Sequence, residues 1–286
     1  MRKKHGFSLF LLRVLLAVLA VIILLPMLQT FLYSFSSIEE MQAYMKTRGS
    51  GDATVWMGNK LIPDMFSLSQ YYHILITDNT VLRLFINSAM YAVLILAGQA
   101  VIVPAMAFAL SKFRFRGREA LFFTIILLML LPFQVTMVPN VLTLRFLGLL
   151  NTVWSVVLPM WFAPFFVFLI RQFMVSLPDE LLEAASIDGA GPVRAYLSIV
   201  LPVCRPILGA AAALSFAESW NLVEQPLTYL TENPGIMPLS VMFNQIADSN
   251  SGFEFAGAAL YTLPALFVYL FFREDIVSGI QLTEMK

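Results

Sequence analysis

Long apolar segments, separated by polar connections, organise this chain of 286 residues. A helix needs about 20 apolar residues to cross the roughly 30 Å hydrocarbon layer of a membrane, and each segment can do so with some tilt. The fifth segment is the weakest, because it runs directly into the polar sequence AESWNLVEQP. The pattern predicts an all-α integral membrane protein, with residues 1–286 as a single transmembrane domain. Its six transmembrane helices are expected at about 12–35, 84–110, 121–141, 152–170, 207–222 and 255–272.

The connections between these segments differ in charge, and the difference predicts on which side of the membrane each lies. Most of the 18 lysine and arginine residues precede the first span, separate the second from the third and the fourth from the fifth, or end the chain. Cytoplasmic connections carry the excess of positive residues. We therefore expect both termini and the connection 171–204 in the cytoplasm, and the connections 36–83 and 223–254 outside. The sequence RGSGDATVWMGNK in the first of these is typical of a surface loop.

The composition excludes several classes of function. Charged residues make up 13% of the chain and hydrophobic residues 59%, whereas soluble domains carry about 25% charged residues. Zero net charge and the lack of a basic stripe argue against a nucleic-acid partner. Two histidines and one cysteine provide no metal-binding pattern, and neither G-x-x-x-x-G-K-[ST] nor G-x-S-x-G occurs. We expect no catalytic residue, metal site or cofactor on this chain, which is therefore not predicted to be an enzyme.

The connection between the fourth and fifth spans predicts a short cytoplasmic helix. Ser176 and Asp179 fit the capping-box pattern S-x-x-[DE]. Leucine, glutamate and alanine, all good helix formers, continue the pattern from about 178 to 188. Gly189 is well placed to end the helix, because glycine adopts left-handed dihedral angles at low cost.

This short helix is acidic and has two small residues at its centre. Ala184 and Ala185 permit another surface to approach closely, and Glu183 places a charge beside them. A helix that lies on the membrane is usually rich in lysine, arginine and large apolar residues, so we favour a protein partner with a basic residue. Pro192 then starts a second helix, which Pro202 is expected to kink before the fifth span.

The same region carries a motif of fixed spacing: E-A-A, three residues, G, nine residues, I-x-L-P. It resembles the loop shared by the permease subunits of binding-protein-dependent ABC importers. The residues that match, including those of the fuller form E-A-A-x-x-D-G-A, are Glu183, Ala184, Ala185, Asp188, Gly189, Ala190, Ile199, Leu201 and Pro202.

Other segments are similar to the carbohydrate branch of that family, which includes the maltose permeases. They are the Asn-Ser pair at 87–88, AFALSKFRFRGR, LPFQVTMVPNVLTLRFLGLLNT and WNLVEQPL. The resemblance covers nearly everything from about residue 10 to 286. The tail SGIQLTEMK departs from the branch and retains only Gly279 and Lys286 of its usual ending.

The resemblance implies a mechanism and a set of partners. The short helix would be a coupling helix that sits in a cleft of a separate ATPase subunit, where Glu183 would pair with a basic residue. ATP and magnesium would then bind to the ATPase and not to this chain. The expected partners are a second permease of the maltose type, two ATP-binding subunits, an extracytoplasmic solute-binding protein and membrane lipid. The expected location is the bacterial inner membrane.

Candidate substrate contacts lie at the end of the fifth span. An ionisable residue at membrane depth indicates a functional site by default, and sugars bind hydrogen-bonding groups and aromatic faces. Glu218, Trp220 and Asn221 offer both kinds of group. Alternatively, Glu218 is solvated at the outer boundary and Asn221 bonds a neighbouring helix. We expect a sugar, oligosaccharide or sugar derivative as cargo. The alternatives are a non-sugar cargo such as glycerol phosphate, or a secondary transporter or membrane enzyme.

Overall fold

The computed structural model describes residues 2–49, 62–77, 79–246 and 252–284, and every regular element in these ranges is helical. The α-helices are α1 (Arg2–Tyr33), α2 (Ile38–Gly49), α3 (Ser69–Tyr72), α4 (Asn79–Lys112), α5 (Arg118–Leu130), α6 (Phe133–Phe146), α7 (Val153–Trp161), α8 (Pro164–Val175), α9 (Glu180–Ile187), α10 (Pro192–Ala195), α11 (Leu201–Val203), α12 (Arg205–Trp220), α13 (Glu224–Tyr229), α14 (Leu239–Ile246) and α15 (Glu254–Glu284). Single π-helical turns follow α3 and α10, at His73–Thr77 and Tyr196–Val200, and a 3₁₀ turn covers Pro234–Ile236.

Four apolar stretches are long enough to cross a membrane as single helical spans. They are Leu9–Tyr33, Asn79–Lys112, Val153–Val175 and Glu254–Val277, and they coincide with the first, second, fourth and sixth predicted segments. Two bent helix pairs also have the required length and composition, so the described residues provide between four and six spans. The prediction of an all-α membrane protein is confirmed at this level.

The third apolar segment differs from the prediction, because residues 121–141 do not form one helix. Helices α5 and α6 meet at 106°. Pro132 lacks an N–H and disfavours the helical conformation in the residue before it. Leu131 is accordingly extended, with φ −76° and ψ 123°, and α6 starts just after the proline.

The fifth segment is also bent, at a position other than the one predicted. The helical run Pro192–Val203 meets α12 at 76°, and the break falls at Cys204. Pro202 lies in the first turn of α11 and Pro206 in the first turn of α12. Proline is accepted there because those N–H groups have no partner within the helix. The prediction of a kink at Pro202 is therefore wrong, because the helix bends two residues later.

The two connections predicted to be external are partly helical. Connection 36–83 contains α2, α3 and the π-helical turn, and connection 223–254 contains α13, the 3₁₀ turn and α14. Residues 50–60 of RGSGDATVWMGNK and the final two residues of the tail lie outside the described residues.

The chain divides into two compact units, of which the first comprises residues 1–83 and 243–263. A buried glutamine joins three of its segments. The Gln70 amide donates to the carbonyl oxygens of Tyr33 at 2.8 Å and Ser36 at 3.0 Å. Its own oxygen accepts from the Ala256 N–H at 3.2 Å. A buried polar side chain must be hydrogen-bonded, so Gln70 fixes the end of α1 and the start of α15 together.

The second unit comprises residues 84–242 and 264–286 and contains two hydrophobic clusters. Helix α4 contributes Val103 and Phe108 to the first cluster, and Tyr91 and Ile95 to the second. The first cluster also includes residues of α5, α8 and α12, so α4 positions the segment between α8 and α12 that carries the motif.

Candidate functional site

Helix α9 is the short acidic helix that the sequence predicted. It ends as expected, because Gly189 adopts a left-handed φ of +79°. The N–H of Gly189 donates to the Ser186 carbonyl at 3.1 Å, and the N–H of Ala190 donates to the Ala185 carbonyl at 2.8 Å. These two bonds form a Schellman motif, which satisfies carbonyl groups that the end of a helix leaves unpaired. The glycine and the following alanine of the motif therefore stop the helix sharply.

The start of α9 is held differently from the prediction. No side-chain cap closes the helix at Asp179, and the Ser176 hydroxyl donates instead to the Phe173 carbonyl at 2.7 Å. The Asp179 carboxylate accepts from Lys112 Nζ at 2.7 Å, and the same Nζ donates to the Leu177 carbonyl at 2.6 Å. The expected capping box is therefore absent. A lysine at the end of α4 holds the start of α9 instead.

Lys112 is a residue that sequence reasoning missed as part of the site. Only 5% of its side chain is exposed, whereas the Asp179 side chain is 67% exposed. The hydrogen bond and the positive charge of Lys112 lower the pKa of the Asp179 carboxyl below its usual value. A basic residue in the connection 111–120 was the available signal, but four basic residues lie close together there and nothing in the sequence singles one out.

The residues of the E-A-A-x-x-D-G-A motif do not all share one surface. Glu183, Ala184, Asp188 and Gly189 are exposed, whereas Ala185 is buried against the chain itself. The thin patch expected at both alanines is therefore limited to Ala184. Small size at Ala185 instead lets α9 pack closely on its own protein.

The I-x-L-P part of the motif is partly buried: Ile199 and Leu201 are half-buried, and Pro202 is exposed. Ile199 packs beside Lys112 and Leu177 in a tight space beneath α9. Leu201 and Pro202 line a larger cavity on another side of the segment. The structure thus separates the motif into an exposed acidic part and an apolar part, of which Ile199 lies beneath α9.

Three apolar side chains at the end of α9 and shortly after it are exposed, and sequence reasoning did not single them out. Ile187 is 87% exposed, and Val193 and Leu197 are also exposed. Val193 and Leu197 line an open groove of about 490 Å³ beside α10. Exposed apolar patches rimmed by polar residues are typical of interaction surfaces.

The three candidate substrate residues lie on different faces of α12 and its end. Glu218 and Asn221 are exposed, and the Asn221 amide donates to the Ala217 carbonyl at 2.8 Å. Trp220 is only 2% exposed, and its ring packs against Phe85 and Phe216 at centroid distances of 5.4 and 5.5 Å. The indole ring therefore offers no open face to a ligand in this structure.

These features define the class of the protein: a multi-span membrane protein with an acidic segment exposed between two of its apolar stretches. Residues 100–274 match the family described as binding-protein-dependent transport system inner membrane component, and the chain belongs to this family. The resemblance inferred from the sequence is thereby confirmed. The chain is a permease component of a transport system and not an enzyme.

Curated relatives agree with this assignment. The chain is 28% identical to the arabinooligosaccharides transport system permease protein AraQ of Halalkalibacterium halodurans, over 78% of this chain and 81% of the relative. It is 27% identical to the polygalacturonan/rhamnogalacturonan transport system permease protein YtcP of Bacillus subtilis, over 95% of both chains. It is 31% identical to the sn-glycerol-3-phosphate transport system permease protein UgpE of Pectobacterium atrosepticum, over 68% of this chain and 71% of the relative.

A solved structure has the same fold. It is the crystal structure of a bacterial ABC transporter involved in the import of the acidic polysaccharide alginate. One of its chains superposes with a TM-score of 0.81 at 23% identity, over 96% of this chain and 98% of the other. At this identity, the likeness concerns the fold alone.

Proposed function

We propose that this chain is a permease subunit of an ATP-driven, binding-protein-dependent importer. It forms the translocation path together with a second permease. The cargo is a sugar, an oligosaccharide or a sugar derivative. The observation that carries the proposal is the exposed acidic helix α9, held at both ends, in a chain that belongs to a transport family and has no phosphate-binding loop of its own.

The proposed arrangement has six spans and both termini in the cytoplasm. The bent pairs α5–α6 and α10–α12 count as the third and fifth spans, and the connection 171–204 is cytoplasmic. The distribution of lysine and arginine supports this orientation. Residues 1–286 are proposed to serve as one permease domain.

Helix α9 is proposed to dock into a cleft of a separate ATPase subunit. The exposed Glu183 pairs there with a basic residue, and the exposed Ile187 and Val193 supply apolar contact area. An apolar centre with a charged rim is the usual composition of a protein interface. Nucleotide and magnesium bind to the ATPase, and closure of two ATPase subunits moves the spans as rigid bodies. The solute-binding protein delivers cargo from the other side.

A carbohydrate cargo is favoured over an anionic one by the groups near the end of α12. Glu218 and Asn221 are exposed there, and a carboxylate repels a phosphate group. The names of two relatives refer to oligosaccharides or polysaccharides, and that of a third to glycerol phosphate. Glycerol phosphate therefore remains the alternative cargo. A secondary transporter would need buried charges that form a relay, and spans four to six offer no such series in the sequence.

The coupling assignment is tested by uptake of radiolabelled sugars in cells that produce the complete transporter. Glu183→Lys and Gly189→Pro are expected to abolish uptake while the protein still inserts, because one reverses the docking charge and the other breaks the Schellman turn. Glu39→Lys makes the same charge reversal at an exposed position of α2 and serves as the control. Normal uptake in either coupling variant, with the ATPase still attached on purification, would show that the assignment is wrong.

The substrate assignment has a separate test. Glu218→Ala is expected to alter the concentration dependence of uptake without loosening the ATPase, because Glu218 lies on α12 and away from α9 in sequence. Unchanged uptake kinetics would remove Glu218 from the pathway. A panel with glycerol phosphate and neutral oligosaccharides distinguishes the two cargo classes in the same assay.

A further inference from the structure

A cavity in the second unit has a volume of about 500 Å³, and its lining includes residues of α4, α8, α12 and α15. That volume lies within the range of roughly 300–1,000 Å³ that small-ligand sites occupy. Its lining is mostly apolar, with Val103, Phe166, Leu208 and Phe272 among the lining residues. Neither Glu218 nor the exposed residues of α9 are among its lining residues.

Two opposite charges lie at one end of this cavity. Arg205 is the first residue of α12, and Gly209 lies one turn further along the same face. The Asp275 carboxylate packs against Gly209 so closely that a Cβ there would lie 2.5 Å from Oδ2. Arg205 and Asp275 therefore line the same end of the cavity, about one helical turn apart. Within the described part of the chain, neither side chain forms an ion pair.

At the other end of the cavity, the polar side chains that the structure describes are hydrogen-bonded. The Gln99 amide donates to the Met160 carbonyl at 2.6 Å, and the Ser215 hydroxyl donates to the Gln99 oxygen. From Arg205 to Ser215, α12 rises by about 15 Å. The cavity thus combines a charged end with a long apolar interior whose polar groups are already satisfied. A sugar, whose hydroxyl groups all need partners, does not fit such a lining.

The charged end also coincides with the boundary of the apolar part of α15. The helix is apolar up to Phe272, and Arg273, Glu274 and Asp275 follow directly. Such a change in polarity marks the depth of the lipid headgroups in a membrane protein. A molecule in the cavity would therefore have its polar group at headgroup depth and its apolar part within the hydrocarbon layer.

We propose that this cavity binds one membrane phospholipid with a zwitterionic headgroup that carries a primary ammonium, as in phosphatidylethanolamine. Its phosphate pairs with Arg205, its ammonium donates hydrogen bonds to Asp275, and one acyl chain lies between the helices. An anionic headgroup satisfies Arg205 but is repelled by Asp275. A choline headgroup has no N–H to donate to that carboxylate. Gly209 is the residue that lets Asp275 reach this position.

The experiment is native mass spectrometry of the complete transporter, released from nanodiscs that contain phosphatidylethanolamine, phosphatidylcholine and phosphatidylglycerol in equal amounts and with identical acyl chains. The wild-type protein is expected to retain phosphatidylethanolamine at least tenfold over the other two. Arg205→Gln should lose that retention. Asp275→Asn should lose the discrimination against phosphatidylglycerol, and Gly209→Ala should act like Asp275→Asn.

Arg273→Gln is the matched control, because it removes an exposed cation at a neighbouring position of α15 whose charge faces Glu274. Its lipid retention should equal that of the wild type. Equal retention of all three lipids, no retained lipid, or equal losses in Arg205→Gln and Arg273→Gln would each overturn the proposal. If a second permease covers the cavity and excludes lipid from it, no lipid will be retained. Thermal unfolding of each variant identifies those that fail to fold, and Asp275→Asn, nearly isosteric, then carries the test. The readout needs no transport, so it stands independently of the proposed function.

Discussion

Lys112→Met is expected to release the start of α9 from the end of α4. The lysine Nζ donates to the Leu177 carbonyl at 2.6 Å, and its side chain is 5% exposed. A hydrogen bond to a charged group contributes roughly 1.5–3 kcal/mol. The exposed carboxylate of Asp179 is assigned none of this free energy, because solvent screens it. Each ~1.4 kcal/mol changes an equilibrium constant tenfold. The population of molecules in which the start of α9 is detached from α4 should therefore rise about 10- to 150-fold. Methionine keeps most of the buried stem, so packing changes little.

Hydrogen exchange of the amides of α9, measured by mass spectrometry on the protein in nanodiscs, reports this population directly. Protection should fall by the same factor in Lys112→Met and by much less in Asp179→Ala. Arg116→Met removes an exposed cation from the same connection and should leave protection unchanged. Unchanged protection in Lys112→Met, or an equal loss in Arg116→Met, would refute the reasoning.

Three further predictions concern single contacts. Gly98→Ala places a Cβ 2.0 Å from Trp161 Nε1, so overpacking should destabilise the protein by about 1–3 kcal/mol and lower its thermal midpoint. Asn151 has a φ of +58° and bonds Glu232 twice at 3.0 Å. Asn151→Ala should therefore lower the midpoint more than Asn151→Gly, and the reverse order would contradict this. Because Lys112 lowers the Asp179 pKa, the Lys112–Asp179 ion pair is intact above the usual carboxyl pKa and is lost only as the pH falls through the lowered value. Exchange protection corrected for intrinsic rates should be constant from about pH 8 to pH 5; a loss in that range would contradict it.

The features that could be predicted from the sequence depend on neighbouring residues along the chain. Apolar length predicts four of the spans, because a bilayer demands a fixed length of helix. Gly189 predicts the end of α9, because its left-handed conformation is a local property of the backbone. The spaced motif predicts the family, because its residues lie within twenty positions of one another.

The errors arose where local rules compete. Ser176 and Asp179 satisfy the capping-box pattern, yet Asp179 bonds Lys112, which lies 67 residues away in the sequence. Pro132 lies within the predicted third span, 121–141, but it separates two helices at 106°. Trp220 has the chemistry of a sugar contact, but two phenylalanine rings cover it. In each case, a contact or an angle formed in the folded protein decided between outcomes that the sequence permits.

The sequence alone determined the membrane class, the helical content and the presence of an acidic, glycine-terminated helix between two spans. Each of these follows from hydropathy and backbone preference over a few turns of chain. Tertiary structure alone decided that Lys112 holds that helix, that Ala185 faces inward, and that Arg205 and Asp275 share one end of a cavity. Side chains 60 to 70 residues apart in the sequence meet only when the helices pack. Packing depends on the shapes of all the helices together and on no short stretch of residues.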